Sequence, residues 1–299
     1  MIRMRLLLAC LACLAAALPA SAAERLPVVA TFSILGDLVR AVGGDRVAVT
    51  TLVGPDSDAH VFSPSPADAR RLADAKLVVA NGLGLEGWIP RLVRSSGTTA
   101  ALVETARDVV ARRLDEPGAG HGGAARDPHA WQDVANAKRY VHSIRDALAA
   151  ASPADRAVFE ANAATYLTAL DALDTEIRGA WAGIPRERRR IITTHDAFGY
   201  YGAAYGVEFL AAQGVSTETE ASAQDVARII RQIRREKVPA VFLETIADPR
   251  LAERIASETG ARIGPRVYSD ALSGPDGPAP TYLAMMRYNL RAFTAALAP

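Results

Sequence analysis

Cysteine is nearly absent from this 299-residue chain, with only Cys10 and Cys13. Both lie in the N-terminal segment, where Arg3 and Arg5 precede an apolar run from Leu6 to Leu18 and a small-residue stretch Pro19-Ala20-Ser21-Ala22-Ala23. That order reads as a secretory signal peptide (residues 1–22), cut after Ala22 or Ala23. Its apolar run is about 13 residues, short of the roughly 20 that span a bilayer, which weighs against a membrane anchor. Leu7-Leu8-Ala9-Cys10 is a loose match to a lipoprotein box, but Cys10 sits early in the apolar run. A cleaved signal is therefore preferred over lipid anchoring. The mature chain then has no thiolate metal ligand and no disulfide, although it is exported to an oxidising compartment.

No later stretch is apolar enough to cross a membrane. Charge of one sign is lacking too. Without the two signal arginines, 32 basic residues face 33 acidic ones, a net charge of −1. That balance gives no reason to expect nucleic acid or an anionic lipid surface as a partner. Aromatic residues are only 6% of the chain, which disfavours a stacked pocket for chelated iron or another organic ligand. Neither an H-E-x-x-H helix nor a G-x-S-x-G elbow is present.

What is present is alternation. The runs 26–31, 47–52, 77–80, 191–194, 240–243 and 262–268 predict strands, with helical spacing between them. This argues for an α/β protein with parallel sheets. From Ser152 to Gly183 no strand intervenes. Ser152 predicts a cap, Pro153 the first helical position, and Tyr166, Leu170, Leu173, Ile177 and Trp181 mark one face. A helix of some 30 residues would be about 45 Å long. It predicts a rigid link (152–183) between an N-terminal lobe (24–151) and a C-terminal lobe (184–299), with one long helix inside a single domain as the alternative. Residues 116–126 are Gly- and Ala-rich around His121 and read as a surface loop.

Five histidines remain to be sorted. His60 lies in a strand-to-helix loop, before a Ser65-Pro66 helix start. His195 ends one predicted strand and Asp270 follows another. Ligands of open parallel sheets bind at that carboxyl edge. His129 stands in Asp127-Pro128-His129-Ala130-Trp131, before a helix predicted near Asp133. His142 lies mid-helix among Lys138, Arg139 and Arg145, as a solvated face residue. Three imidazoles and one carboxylate suit zinc, whereas manganese favours more oxygen and higher coordination. Asp196, Glu218 and Glu220 are candidates to orient the ligating rings.

At these residues the sequence resembles the zinc and manganese solute-binding proteins of ABC transporters. The resemblance rests on Gly54-Pro55-Asp56-Ser57-Asp58-Ala59-His60-Val61-Phe62, Asn81-Gly82-Leu83-Gly84-Leu85-Glu86, Asp127-Pro128-His129-Ala130-Trp131, Thr194-His195-Asp196-Ala197-Phe198-Gly199-Tyr200 and Tyr268-Ser269-Asp270. It implies two α/β lobes joined by one rigid helix. Metal would be held in the cleft by His60 and His129 from the first lobe and His195 and Asp270 from the second. Successive ligands are 69, 66 and 75 residues apart, so only a fold could gather them.

The implied function is capture of Zn2+ in the periplasm, by a monomer, for delivery to a membrane permease. Manganese, or mixed zinc and manganese, is the alternative cargo. Manganese-preferring relatives tend to carry a carboxylate where this chain has His195. Many zinc relatives carry a long His- and acid-rich loop, here reduced to residues 116–126 with His121, which makes a separate periplasmic zinc chaperone a candidate partner. A zinc hydrolase is the reading from another class. Asp270 would fill the position that a catalytic zinc leaves open for water, so the resemblance implies a carrier and no enzyme.

Overall fold

The computed structural model describes residues 24–114, 125–236, 238 and 240–297. The signal segment and the loop around His121 lie outside the described residues.

The first sheet begins with β1 (Leu26–Phe32), whose inner residues are buried on both faces. Helix α1 (Ser33–Gly43) follows, then β2 (Val47–Val53). Helix α2 (Pro66–Asp74) starts as the sequence predicts. Ser65 and Asp68 form a reciprocal capping box, and Pro66 occupies the first turn, where its missing N–H costs no hydrogen bond. Strand β3 (Leu77–Ala80), helix α3 (Ile89–Ser96) and strand β4 (Ala101–Glu104) complete the layer. The strands are parallel and ordered β2-β1-β3-β4.

A short antiparallel pair, β5 (Arg113–Leu114) with β6 (Ala125–Arg126), leads to α4 (Val134–Ala151). Asp133 caps this helix by accepting from Ala135 N. The long helix α5 (Arg156–Ala182) then joins the two lobes. Its α-helical part begins later than the Ser152 cap predicts. The turn from α4 is so tight that Pro153–Asp155 form one 3₁₀ turn, and Ser152 Oγ donates to the Asp155 carboxylate instead of capping backbone. Leu170, Leu173, Ile177 and Trp181 are buried as the predicted face requires, joined by Phe159 and Ala163.

The second sheet repeats the first. Strand β7 (Arg190–His195), helix α6 (Gly199–Tyr205), strand β8 (Glu208–Gln213), helix α7 (Ala223–Glu236), strand β9 (Ala240–Val241), helix α8 (Pro249–Thr259) and strand β10 (Arg262–Ile263) follow in turn. The order is β10-β9-β7-β8, again parallel. In both sheets the first strand lies between the second and the third. Helix α9 (Tyr282–Leu297) packs back against α5.

The short β5–β6 pair was not foreseen, and in the two parallel sheets neither were β4 and β8. Both are edge strands, with burial too incomplete to leave a continuous apolar run. The predicted strand 262–268 is shorter, with a single bridge from Val267 to Glu244 extending the alignment. One hydrophobic core runs through both halves, from β1 and α1 through Trp131, Trp181 and Phe198 to Phe293 on α9. No described helix is long and apolar enough to cross a membrane.

Candidate metal centre

Loops at the carboxyl ends of the strands bring His60, His129, His195 and Asp270 together. His60 lies in the bends between β2 and α2, where Asp58 Oδ1 accepts its backbone N–H at 2.8 Å. The Ala59 carbonyl beside it accepts from Trp88 Nε1 at 2.9 Å. His129 precedes a 3₁₀ turn (Ala130–Gln132), and Pro128 O accepts from Asn81 Nδ2 at 2.9 Å. His195 is the last residue of β7, its N–H donating to Glu244 Oε1 at 2.9 Å. Asp270 follows Ser269, whose carbonyl accepts from Trp131 Nε1 at 2.9 Å and Gln132 Nε2 at 2.8 Å. First-lobe side chains thus hold the backbone that carries the second-lobe carboxylate.

The four side chains each turn one donor atom to a common point, all within 4.8 Å of one another, and all four residues are buried. His60 Nε2 is 3.2 Å from His129 Nε2. Asp270 Oδ2 lies 3.2 Å from both His60 Nε2 and His195 Nε2, and Oδ1 is 3.5 Å from His129 Nε2. Two donors at zinc distance on a tetrahedral ion are separated by about 3.3 Å. The site therefore already has the spacing of a coordination shell. His195 Nε2 and both Asp270 oxygens are fully buried yet have no aligned hydrogen bond. Buried polar atoms are seldom left so, unless they serve a ligand.

Two further carboxylates set which ring nitrogen faces inward. Asp127 Oδ1 lies 2.9 Å from His129 Nδ1 and also accepts the His129 N–H at 3.0 Å. Glu244 Oε2 contacts His195 Nδ1, while Oε1 accepts from Thr194 Oγ1 at 2.7 Å. Each carboxylate favours a proton on Nδ1, which leaves the Nε2 lone pair directed into the site.

Burial opposes charge on these rings, but the carboxylates outweigh it. The Asp270 charge and the Asp127 hydrogen bond raise the His129 pKa to about 9. The His195 ring, buried against Glu244 and Asp270, is pushed well above the ordinary imidazole value. Burial would raise the Asp270 pKa, yet the facing His129 and His195 hold it well below the usual carboxylate range. In the metal-free protein, protons on the rings thus balance the buried carboxylates.

The orienting residues differ from the expected ones. Asp196 bonds through its backbone to Gly214 O, and Glu218 and Glu220 are exposed. None of the three has a described hydrogen bond or ion pair to a histidine. Asp127 was legible, standing two residues before His129. Glu244 had a weaker signal, an acid directly after the apolar run of β9. His142 is exposed and accepts from Arg145 at 3.0 Å, in keeping with a face residue.

Comparison with known proteins gives this site its context. The family described as zinc-uptake complex component A, periplasmic, matches residues 28–296. The manganese-binding lipoprotein MntA of Halalkalibacterium halodurans is 33% identical over 274 residues, covering 92% of this chain and 89% of that protein. The iron-binding protein YfeA of Yersinia pestis is 32% identical, covering 90% and 85%. Among solved structures, the periplasmic zinc-binding protein TroA of Treponema pallidum superposes with a TM-score of 0.86 at 30% identity, covering 92% of this chain and all of that one. The chain belongs to this family, and is an extracytoplasmic metal-binding substrate-binding protein of an ABC transporter, not an enzyme.

Proposed function

We propose that the chain captures zinc between lobes 24–151 and 184–299, holds it with His60, His129, His195 and Asp270, and presents it to the permease. One observation carries this reading: three buried imidazoles and a carboxylate with donor atoms mutually within 4.8 Å. Nitrogen-rich sets bind zinc more tightly than manganese across the divalent series. Four protein donors would fill a tetrahedral zinc and leave no position for water, which suits a carrier. Monomeric action, and loading by a separate zinc chaperone, belong to the same reading.

Manganese is the second reading, and two observations favour it. Both Asp270 oxygens face the rings, so a bidentate carboxylate would raise the coordination number above four. Relatives of 28–33% identity are also named as manganese-binding or manganese-transporter proteins.

The test is to strip the mature protein, offer equal zinc and manganese, and count bound metal by elemental analysis. One zinc per chain, lost in His195→Ala, supports the zinc reading. One manganese supports the second, and no tight metal refutes both. Several relatives are named lipoproteins, which supports a lipid on Cys10 against simple cleavage. The intact mass of the mature chain decides between them.

A further inference from the structure

The four metal-facing residues are unequally supported. His129 and His195 are each backed at Nδ1 by a buried carboxylate. Asp270 is carried on a backbone bonded twice from the opposite lobe. His60 has no described partner at its Nδ1 and retains 6% exposure, and its neighbour Val61 is 53% exposed. It lies on a stretch of bends and turns, not on a strand or helix. Of the four donors, His60 is the one whose departure would break the fewest contacts and open a path to solvent.

One residue ties this donor to the other lobe. Asp58 Oδ1 accepts the His60 N–H, and Oδ2 accepts from Thr217 Oγ1 at 2.6 Å. Thr217 belongs to the segment after β8, whose carbonyls at Thr217 and Thr219 are pinned by Gln213 Nε2 at 3.3 and 2.8 Å. The His60 segment has a second tether, from Asp56 N to Leu272 O at 2.9 Å, but that one lies four residues from the ring. The Asp58 bridge reaches the His60 peptide itself.

We infer that Asp58 is a positioning residue that sets the rate of metal release by bonding His60 to the second lobe through Thr217. While the bridge holds, the ring stays over the ion. When it opens, the His60 peptide loses its link to the second lobe and the ring can leave. A partner that pulled Thr217 away would release the cargo without disturbing the other three donors. This inference rests on the metal-capture reading.

The test mixes zinc-loaded protein with excess chromogenic chelator and follows release by stopped flow. A hydrogen bond to a charged group governs a step by about tenfold or more. Thr217→Val should therefore release zinc about tenfold faster, with the melting temperature of the metal-free protein unchanged. Thr217→Ser keeps the hydroxyl and should release at the wild-type rate. Asp58→Ala should be at least as fast as Thr217→Val, and the double variant no faster than Asp58→Ala. Release from Thr217→Val at the wild-type rate overturns the bridge while leaving metal capture intact. So does equal acceleration in Thr217→Ser, or acceleration that follows a lowered melting temperature. Failure of the wild type to hold either zinc or manganese overturns both.

Discussion

Zinc binding to the stripped protein at pH 7.5 should expel about one proton per ion from His129, with the raised His195 adding to it. The His129 pKa stands at about 9, and that of His195 is well above 6.5. At pH 7.5 a group of pKa 9 is about 97% protonated, whereas an ordinary imidazole of pKa near 6.5 is about 9% protonated. A metal needs the neutral ring, so the His129 proton must leave, together with whatever charge His195 holds. The apparent affinity should therefore climb about tenfold per pH unit for each such ring. Between pH 7 and pH 9, His129 alone accounts for about 50-fold, or about 2.3 kcal/mol, because the slope flattens as pH reaches its pKa. Unperturbed histidines would instead lose affinity mainly as pH falls toward about 6.5. Calorimetry in buffers of different ionisation enthalpy measures the protons directly. Fewer than about half a proton released at pH 7.5 would refute the reasoning, because three unperturbed imidazoles would release only about 0.3 in total.

The metal-free protein should show the opposite pH trend. His129 has a folded pKa above its unfolded value, so its stabilising contribution is complete below about 6.5 and is lost as pH rises through about 9. Its melting temperature should accordingly fall between pH 6.5 and 9.5, and a rise would contradict the assignment. Glu244→Gln keeps an oxygen for Thr194 and His195 N–H but places an amide N–H2 against His195 Nδ1. That favours the wrong tautomer and should weaken metal binding about 10- to 100-fold in a competition titration. Ile177→Ala, fully buried on α5, should cost about 2–5 kcal/mol in urea unfolding, as a cavity in the core that joins the halves.

Much of this fold was legible in local chemistry. The buried runs of β1 and β3 are apolar on both faces, and such runs mark parallel strands whatever surrounds them. The Ser65–Asp68 box and the Asp133 cap are short-range hydrogen bonds, determined within four residues of chain. The α5 face at Leu170, Leu173, Ile177 and Trp181 follows from helical periodicity alone. The residue types and edge positions of His60, His129, His195 and Asp270 were likewise readable.

Tertiary structure decided the rest. The edge strands β4 and β8 depend on one neighbour each, so their pairing left little trace in composition. The 3₁₀ entry to α5 reflects how closely α4 must turn back. Donors 69 to 210 residues apart acquire 3.2–3.5 Å spacing only when the chain folds and brings their loops together. The pKa of a histidine depends on which carboxylates end up beside it, and Glu244 reaches His195 across 49 residues of sequence. The sequence by itself determined which chemistry was on offer, because side-chain identity and local periodicity are properties of neighbouring residues. Which nitrogen faces the cleft, how many protons it holds and what ties His60 to the opposite lobe were settled by the packing of distant segments, since burial and charge proximity exist only in the folded chain.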